Sequence, residues 1–336
     1  MKITTVFSIA QKIVRTCPES LGRGLFNTVG TVAGSLPLGG TKQLKRNQAR
    51  IRPNMTARQA RSLARAGMRS YMRYYYEVLR LGSWDDESVQ RRVVTRNFDH
   101  VHAEFDAGRA LPATLMHMGN WDLAGAWACN HLAPVHTLVE KLEPEELFKS
   151  FVDFRESLGM TIYPVVKGAG AIHNIVRDTE EAPVLSAILA DRDLTSSGIP
   201  VEFFGEKMMV AAGPAIVAQE TGRPIACFFS YYKKAKKREG LGTRWRMILA
   251  SDEFVYPKVR KNASPREKQA DIERMSQEWV SRFEKCVSEH LEDWHMLQKV
   301  FVADLDPERF EAGRRRGEEI MAKRQREWEA KQEVTQ

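Results

Sequence analysis

His117 and Asp122 are separated by four residues in LPATLMHMGNWDLAGAW, residues 111–127, and such a pair can do acid–base chemistry. A carboxylate that holds one imidazole nitrogen fixes the tautomer and makes the other nitrogen a better base. The Gly119–Asn120 turn between them lets the Asp122 carboxylate fold back towards the ring. A second acidic cluster, ADRD, places Asp191, Arg192 and Asp193 after another apolar run. Two such runs ending in one sheet can converge on one site. A positioned imidazole makes a hydroxyl group a nucleophile by taking its proton as it attacks. With a thioester as acyl donor no covalent enzyme intermediate is required, because the thiol already leaves well. No G-x-S-x-G elbow occurs, which argues against a serine hydrolase. Cys17, Cys129, Cys227 and Cys286 form no CxxC pair, and there is no HExxH pattern, so no zinc site or disulfide framework is implied. Cys129, inside a helical stretch, reads as a structural thiol. Base-catalysed acyl transfer is the chemistry these residues suit.

The elements that must position them follow from periodicity. LPATLMH reads as a buried strand and NWDLAGAWACNHL as a helix, so His117 stands at a strand end. Ligand sites in α/β sheets gather at the carboxyl ends of strands. From residue 98 strand and helix alternate: APVHTLVEKL, MTIYPVV, APVLSAILADRD, RPIACFFSYY and WRMILAS as strands, PEELFKSFVDFRESLG, AIHNIVRDT and GPAIVAQETG as helices. VEFFGEKMMV has the pattern of a hairpin. The expected fold class is α/β, a mixed central β-sheet flanked by helices on both faces, with N-terminal amphipathic helices. Residues 56–81 form a long helix with Asn54 and Thr56 as candidate caps and a stop near Gly82; its Tyr71, Tyr74, Tyr75 and Tyr76 make a packed face. A second long helix opens at Ser264–Pro265. Residues 36–47, LPLGGTKQLKRN, read as a loop.

Size and charge bound the partners. The chain has 336 residues, 43% of them apolar, and a formal net charge of +8, which favours a polyanionic partner without choosing one. The N-terminal apolar stretches are interrupted by Gln11, Lys12, Arg15, Glu19 and Arg23, so neither a membrane span nor a signal peptide is expected. What remains is an amphipathic segment in which Val6, Ile9 and Ile13 recur at helical spacing, continued by Leu21, Leu25 and Phe26. Lys12, Arg15 and Arg23 would add attraction to an anionic leaflet. The expected location is the cytoplasmic face of a membrane, held peripherally.

HMGNWDLAG resembles the H-x-x-x-x-D/E box of the lysophospholipid and lipid A acyltransferase superfamily. More narrowly, HMGNWDLAGAW, LVEKLEPEELF, FRESLGM, ADRDL, FFGE, AAGPA and DWHMLQ look like the actinobacterial phosphatidylinositol mannoside acyltransferases. The blocks run in that family's order over roughly half the chain. The resemblance implies transfer of a fatty acyl group, palmitoyl from acyl-CoA, to the 6-hydroxyl of the mannose on inositol position 2 of a phosphatidylinositol mannoside. Acyl-CoA is then a co-substrate, with no metal or other cofactor and no nucleic-acid partner. By motif His117 is the general base. The family's A-E-R-D segment reads ADRD here, so Asp191 takes the supporting place with a shorter side chain, and Asp122 is the alternative. Glu140, Arg155, Asn120 and Arg192 are expected at substrate. His295 of DWHML reads as a core histidine, and the FFGE hairpin as either hairpin core or the wall of an acyl channel. Residues 1–310 would form the acyltransferase domain, with 1–85 its helical, membrane-facing portion and 311–336 a charged tail. Two alternatives stand beside this one: a late lipid A acyltransferase using acyl carrier protein, and a non-catalytic basic membrane-binding protein.

Overall fold

β2 (Leu111–Leu115) is buried at every position, as a strand covered on both faces must be. The computed structural model describes residues 12–141, 144–165, 170–193, 198–238 and 240–335. β2 lies near the middle of a seven-stranded sheet with β1 (Val93–Arg96), β3 (Val135–Glu140), β4 (Thr161–Val165), β5 (Leu185–Leu189), β8 (Ala226–Lys234) and β9 (Trp245–Ser251), in the order β1-β9-β8-β2-β5-β3-β4. Five adjacent strands from β8 to β4 are parallel, while β9 pairs antiparallel with β8, so the sheet is mixed. β6 (Ile199–Phe203) and β7 (Glu206–Val210) form a separate hairpin. Its turn residues Phe204 and Gly205 both have positive φ, the backbone that a two-residue hairpin loop demands.

Alternate strand residues feed two cores. Leu111, Ala113 and Leu115 face α6 (Trp121–His131), where Leu123, Ala124 and Trp127 pack. Ile188, Cys227 and Phe229 face α8 (Ala171–Glu181), α9 (Gly213–Thr221) and α10 (Pro265–Glu289). Helices therefore cover both faces, as expected. α10 opens with a capping box in which Ser264 and Glu267 satisfy each other's backbone donors, with Pro265 in its first turn. Gly222 closes α9 in the left-handed conformation. α7 (Glu145–Glu156) packs against β4.

The helical layer departs from expectation in one place. Residues 36–47 were expected as a loop, but α2 (Gly39–Ile51) covers most of them. Its two leading glycines disguise a helix that buries Leu44, Asn47 and Ile51, and the Asn47 amide donates to the carbonyls of Met296 and Gln298 at 2.8 and 3.0 Å. α1 (Glu19–Ser35) packs on α3 (Ala57–Leu81), which starts at Thr56 with a capping box and ends at Gly82. That contact is made through Gly30 and Gly34: a Cβ on either would stand 2.6 Å from the backbone of α3. Two short helices, α4 (Asp86–Gln90) and α5 (Asp99–Asp106), flank β1. This strand precedes the expected start of the alternating region; arginines around only four strand residues hide it. The charged tail is one mostly exposed helix, α11 (Pro307–Thr335), touching α10.

Candidate active site

The site is set by register. β2 and β5 are parallel neighbours with Leu115 opposite Leu189, so residues two further along each strand leave the sheet at the same level. Those residues are His117 and Asp191. His117 Nδ1 lies 2.6 Å from Asp191 Oδ1, and the His117 backbone N–H donates to Oδ2 at 2.9 Å. Trp294 Nε1 donates to the same oxygen at 2.9 Å. Burial works to raise the Asp191 pKa; the His117 charge and these hydrogen bonds outweigh it and hold the carboxyl below its ordinary value. The short side chain reaches because backbone register, not chain length, brings the groups together.

The loop carrying His117 is clamped. Gly119 has φ +62°, and a Cβ there would meet the Ser230 carbonyl at 2.7 Å. Gly119 N donates to the Asp293 carbonyl at 3.0 Å and His295 N to the His117 carbonyl at 2.7 Å, so DWHML runs antiparallel beside the box. The Asp293 carboxylate in turn accepts from Tyr232 N at 2.8 Å and from the Ser70 hydroxyl. His295 is buried, with Nε2 3.0 Å from Ser70 Oγ, as a core histidine should be. Its Nδ1 and the enclosed Trp121 Nε1 have no hydrogen-bond partner among the described residues. The Trp121 ring stands 5.3 Å from the His117 ring, edge to face.

Asp122 does not turn back to His117. It is buried in α6, accepting from Arg155 Nε at 2.6 Å and from the Tyr74 hydroxyl at 2.7 Å. Desolvation works against the Arg155 charge, but Asp122 more than compensates, so Arg155 is held protonated. Asn120 is enclosed: its Oδ1 caps α6 at Leu123 N and its Nδ2 donates to Glu77 at 2.9 Å. Glu140, at the end of β3, pairs with Arg192 at 2.7 Å, and both remain partly exposed. The sheet thus brings His117 and Asp191 into contact, places Glu140–Arg192 at the next strand end, and puts Asp122, Arg155 and Asn120 in buried networks behind. Sequence reasoning missed Trp294 and Tyr74, which hold the two aspartates. DWHML and the tyrosine cluster were the available signals.

Beside Trp121 a narrow apolar crevice of about 60 Å³ opens between α6 and the sheet. Trp121, Asp122 and Arg155 line its polar part, and Leu115, Ala187, Leu189 and Phe228 line its floor. Gly125 and Met160 narrow it: a Cβ on Gly125 would meet Met160 Cε at 2.3 Å. The Phe203–Val210 hairpin is not part of this wall. Phe203 is fully buried against Trp294 and Phe301, so the hairpin is core. Burial raises the Cys129 thiol pKa, in keeping with a structural thiol.

Residues 2–302 match the family profile described as bacterial lipid A biosynthesis acyltransferase. The phosphatidylinositol mannoside acyltransferase of Mycolicibacterium smegmatis is 34% identical over 308 residues, covering 90% of this chain and 92% of that protein. The enzyme of the same name from Mycobacterium tuberculosis is 33% identical over 301 residues, 88% of this chain and 87% of its own. A match that runs almost from end to end, with the box histidine and its carboxylate in contact, means that the chain belongs to the bacterial lipid A biosynthesis acyltransferase family and is an acyltransferase.

Proposed function

We propose that the protein transfers a fatty acyl group, palmitoyl from acyl-CoA, to the 6-hydroxyl of the mannose on inositol position 2 of a phosphatidylinositol mannoside. The observation that carries the chemistry is the 2.6 Å contact between His117 Nδ1 and Asp191. With Nδ1–H held by the carboxylate, Nε2 is the nitrogen left to act as base. It takes the proton of the acceptor hydroxyl as that oxygen attacks the thioester carbonyl. The C–S bond then breaks, and the imidazolium returns the proton to the departing sulfur. Asp191 stabilises the imidazolium without itself being protonated. The apolar crevice next to Trp121 suits contact with the acyl chain, and the Glu140–Arg192 pair beyond the ends of β3 and β5 suits substrate contact. Arg155 and Asn120 act as positioning residues through Asp122 and the start of α6. The acyltransferase domain runs over residues 1–310.

The membrane reading draws on α1. Leu21 and Leu25 are 65% and 63% exposed, and Val29, Val32 and Leu36 continue the stripe. Ile13 is exposed too, whereas Phe26 turns inward onto Tyr76 with ring centroids 5.4 Å apart. Arg23 is already paired with Glu19 and Glu77, so it is not free for a leaflet as its sequence position suggested. Val6 and Ile9 lie outside the described residues. No helix among the described residues is long and apolar enough to cross a membrane. A peripheral enzyme at the cytoplasmic face, with its leucines in the acyl boundary, fits this surface. The test is to incubate the purified protein with radiolabelled palmitoyl-CoA and a phosphatidylinositol mannoside, with palmitoyl-acyl carrier protein as a second donor. Label in the mannoside from the coenzyme A donor alone is expected. Label from the carrier protein alone would overturn the donor.

A further inference from the structure

A second cleft, of about 320 Å³, opens between α1, α3 and the β8–β9 connection and shares no lining residue with the apolar one. Its wall carries Arg23, Arg69, Arg73, Arg238 and Arg244. Arg23 is neutralised by its two glutamates. Arg73 sits over the Trp245 ring, 3.7 Å from its centroid, and makes a long ion pair with Asp293 at 3.9 Å. Arg69, Arg238 and Arg244 have no carboxylate partner among the described residues. A pre-oriented guanidinium beside unpaired ones suits a phosphate, which such forks bind in bidentate fashion. Lys233, Lys234, Lys236 and Lys237 add charge on the adjoining strand end and loop. Neither His117 nor Asp191 lines this cleft, and the hydrogen bonds linking cleft to base pass from Arg73 to Ser70, to the His295 ring, and from the His295 backbone to His117.

We propose that this cleft is a non-catalytic site for the phosphate of an anionic phospholipid head group. The proposal rests on the membrane reading of α1, which supplies the reason to prefer a lipid over a soluble anion. At 100° per residue, Ser20, Gly24 and Asn27 of the cleft wall, the hydroxyl strip Thr28, Thr31 and Ser35, and the aliphatic stripe succeed one another around α1. The cleft wall borders the glycine face packed on α3, with Asn27 about 20° from Gly34, whereas the aliphatic stripe lies across the helix from it. The three hydroxyls donate to carbonyls four residues back, at 3.1, 2.8 and 2.8 Å, so that face can enter an interface without unpaired donors. With the leucines in the acyl boundary, the opposite side of α1, about 10–12 Å across the helix, stands at the level of the phosphate layer, and the arginine cleft opens there.

The experiment is co-sedimentation of the full chain with phosphatidylcholine vesicles, with and without phosphatidylglycerol, at matched ionic strength. Arg69→Gln/Arg238→Gln should lose most of the extra affinity for the anionic vesicles, about fivefold per arginine. Binding to neutral vesicles and the KM for acyl-CoA should stay unchanged. Arg69→Lys/Arg238→Lys, keeping the charge, should retain most of the increment and so exclude a folding defect. An undiminished increment in the glutamine variant overturns the site. So does a tenfold rise in acyl-CoA KM, or displacement of the vesicles by adenosine 3′,5′-bisphosphate or inorganic phosphate, since the cleft would then serve the donor or a soluble anion. Failure of the membrane reading reads differently: Leu21→Ser/Leu25→Ser would then leave binding to both vesicle types untouched.

Discussion

The loop after β2 and helix α1 are both rich in apolar residues, and the fold uses them in opposite senses. Around His117 the apolar residues are inside and the charged groups are held by short, directional contacts among three separate segments. Around α1 the glycines are inside and the leucines outside, the reverse of a helix adapted to water on its free face. The first arrangement fixes one imidazole against one carboxylate. The second leaves an exposed aliphatic stripe, the face that the proposed membrane contact would cover. Position in the fold, rather than composition, decides which segment does chemistry and which meets a surface.

The sharpest separation of the two regions is His117→Ala. Transfer should fall by roughly 10²–10⁴-fold, the usual contribution of a general base, with melting temperature and vesicle binding unchanged. Turnover in a folded variant equal to wild type would remove His117 from the mechanism. The two aspartates should part next. Asp122→Ala leaves Arg155 buried without its partner and should cost about 3–5 kcal/mol of stability, read by chemical denaturation. Asp191→Asn should instead lower turnover much more than acyl-CoA affinity. A stable Asp122→Ala protein, or an unaffected Asp191→Asn enzyme, would collapse the distinction.

On the α1 side the contrast lies between its faces. Gly34→Ala drives a methyl group into the backbone of α3 and should destabilise by about 1–3 kcal/mol. Leu25→Ser, on the exposed stripe, should change stability by no more than about 0.5 kcal/mol yet weaken vesicle binding. If thermal melting ranks the two the other way, α1 does not sit on α3 as described.

How much of this could be read beforehand depended on where the signal was stored. The strands from β2 onward are apolar runs set between turns, α3 and α10 have strong periodicity and clear caps, α6 opens at its Asn120 cap, and the box histidine stands where a local motif puts it. Asp191 was legible only as one of two aspartates, because the choice depends on β2 and β5 being parallel neighbours, a pairing between segments about seventy residues apart. α2 was hidden because its helix-breaking glycines come first and its stabilising contacts are tertiary, from Asn47 to the chain at 296–298. Phe26 was misassigned for a related reason. Nearness in sequence groups it with Leu21 and Leu25, whereas at 100° per residue it stands well round α1 from both, on the side that meets Tyr76.

The subtlest pH effect concerns the buried cluster around His295. Burial, with repulsion from Arg73 and His117, pushes the His295 pKa down to about 3 from an ordinary 6.5. Below pH 6.5 the unfolded chain therefore binds a proton that the native ring refuses, and stability falls with pH. That contribution is fully present above 6.5 and is lost as the pH drops towards about 3. Asp293, in the same cluster, is raised to about 6 by burial, with Arg73 opposing. Its contribution has the other sign: present below 3.8, and lost as the pH rises through about 6. Between these limits the two slopes oppose each other, so the wild-type profile is flatter than either alone. His295→Gln keeps a donor for Ser70 but removes one slope. Its melting temperature, relative to wild type, should rise on acidification from pH 6.5 to 4.5 by about 2 °C, on the order of 1 kcal/mol in a chain of this size. Calorimetry of both proteins across that range decides it, and parallel profiles would mean that His295 does not resist protonation in the native state.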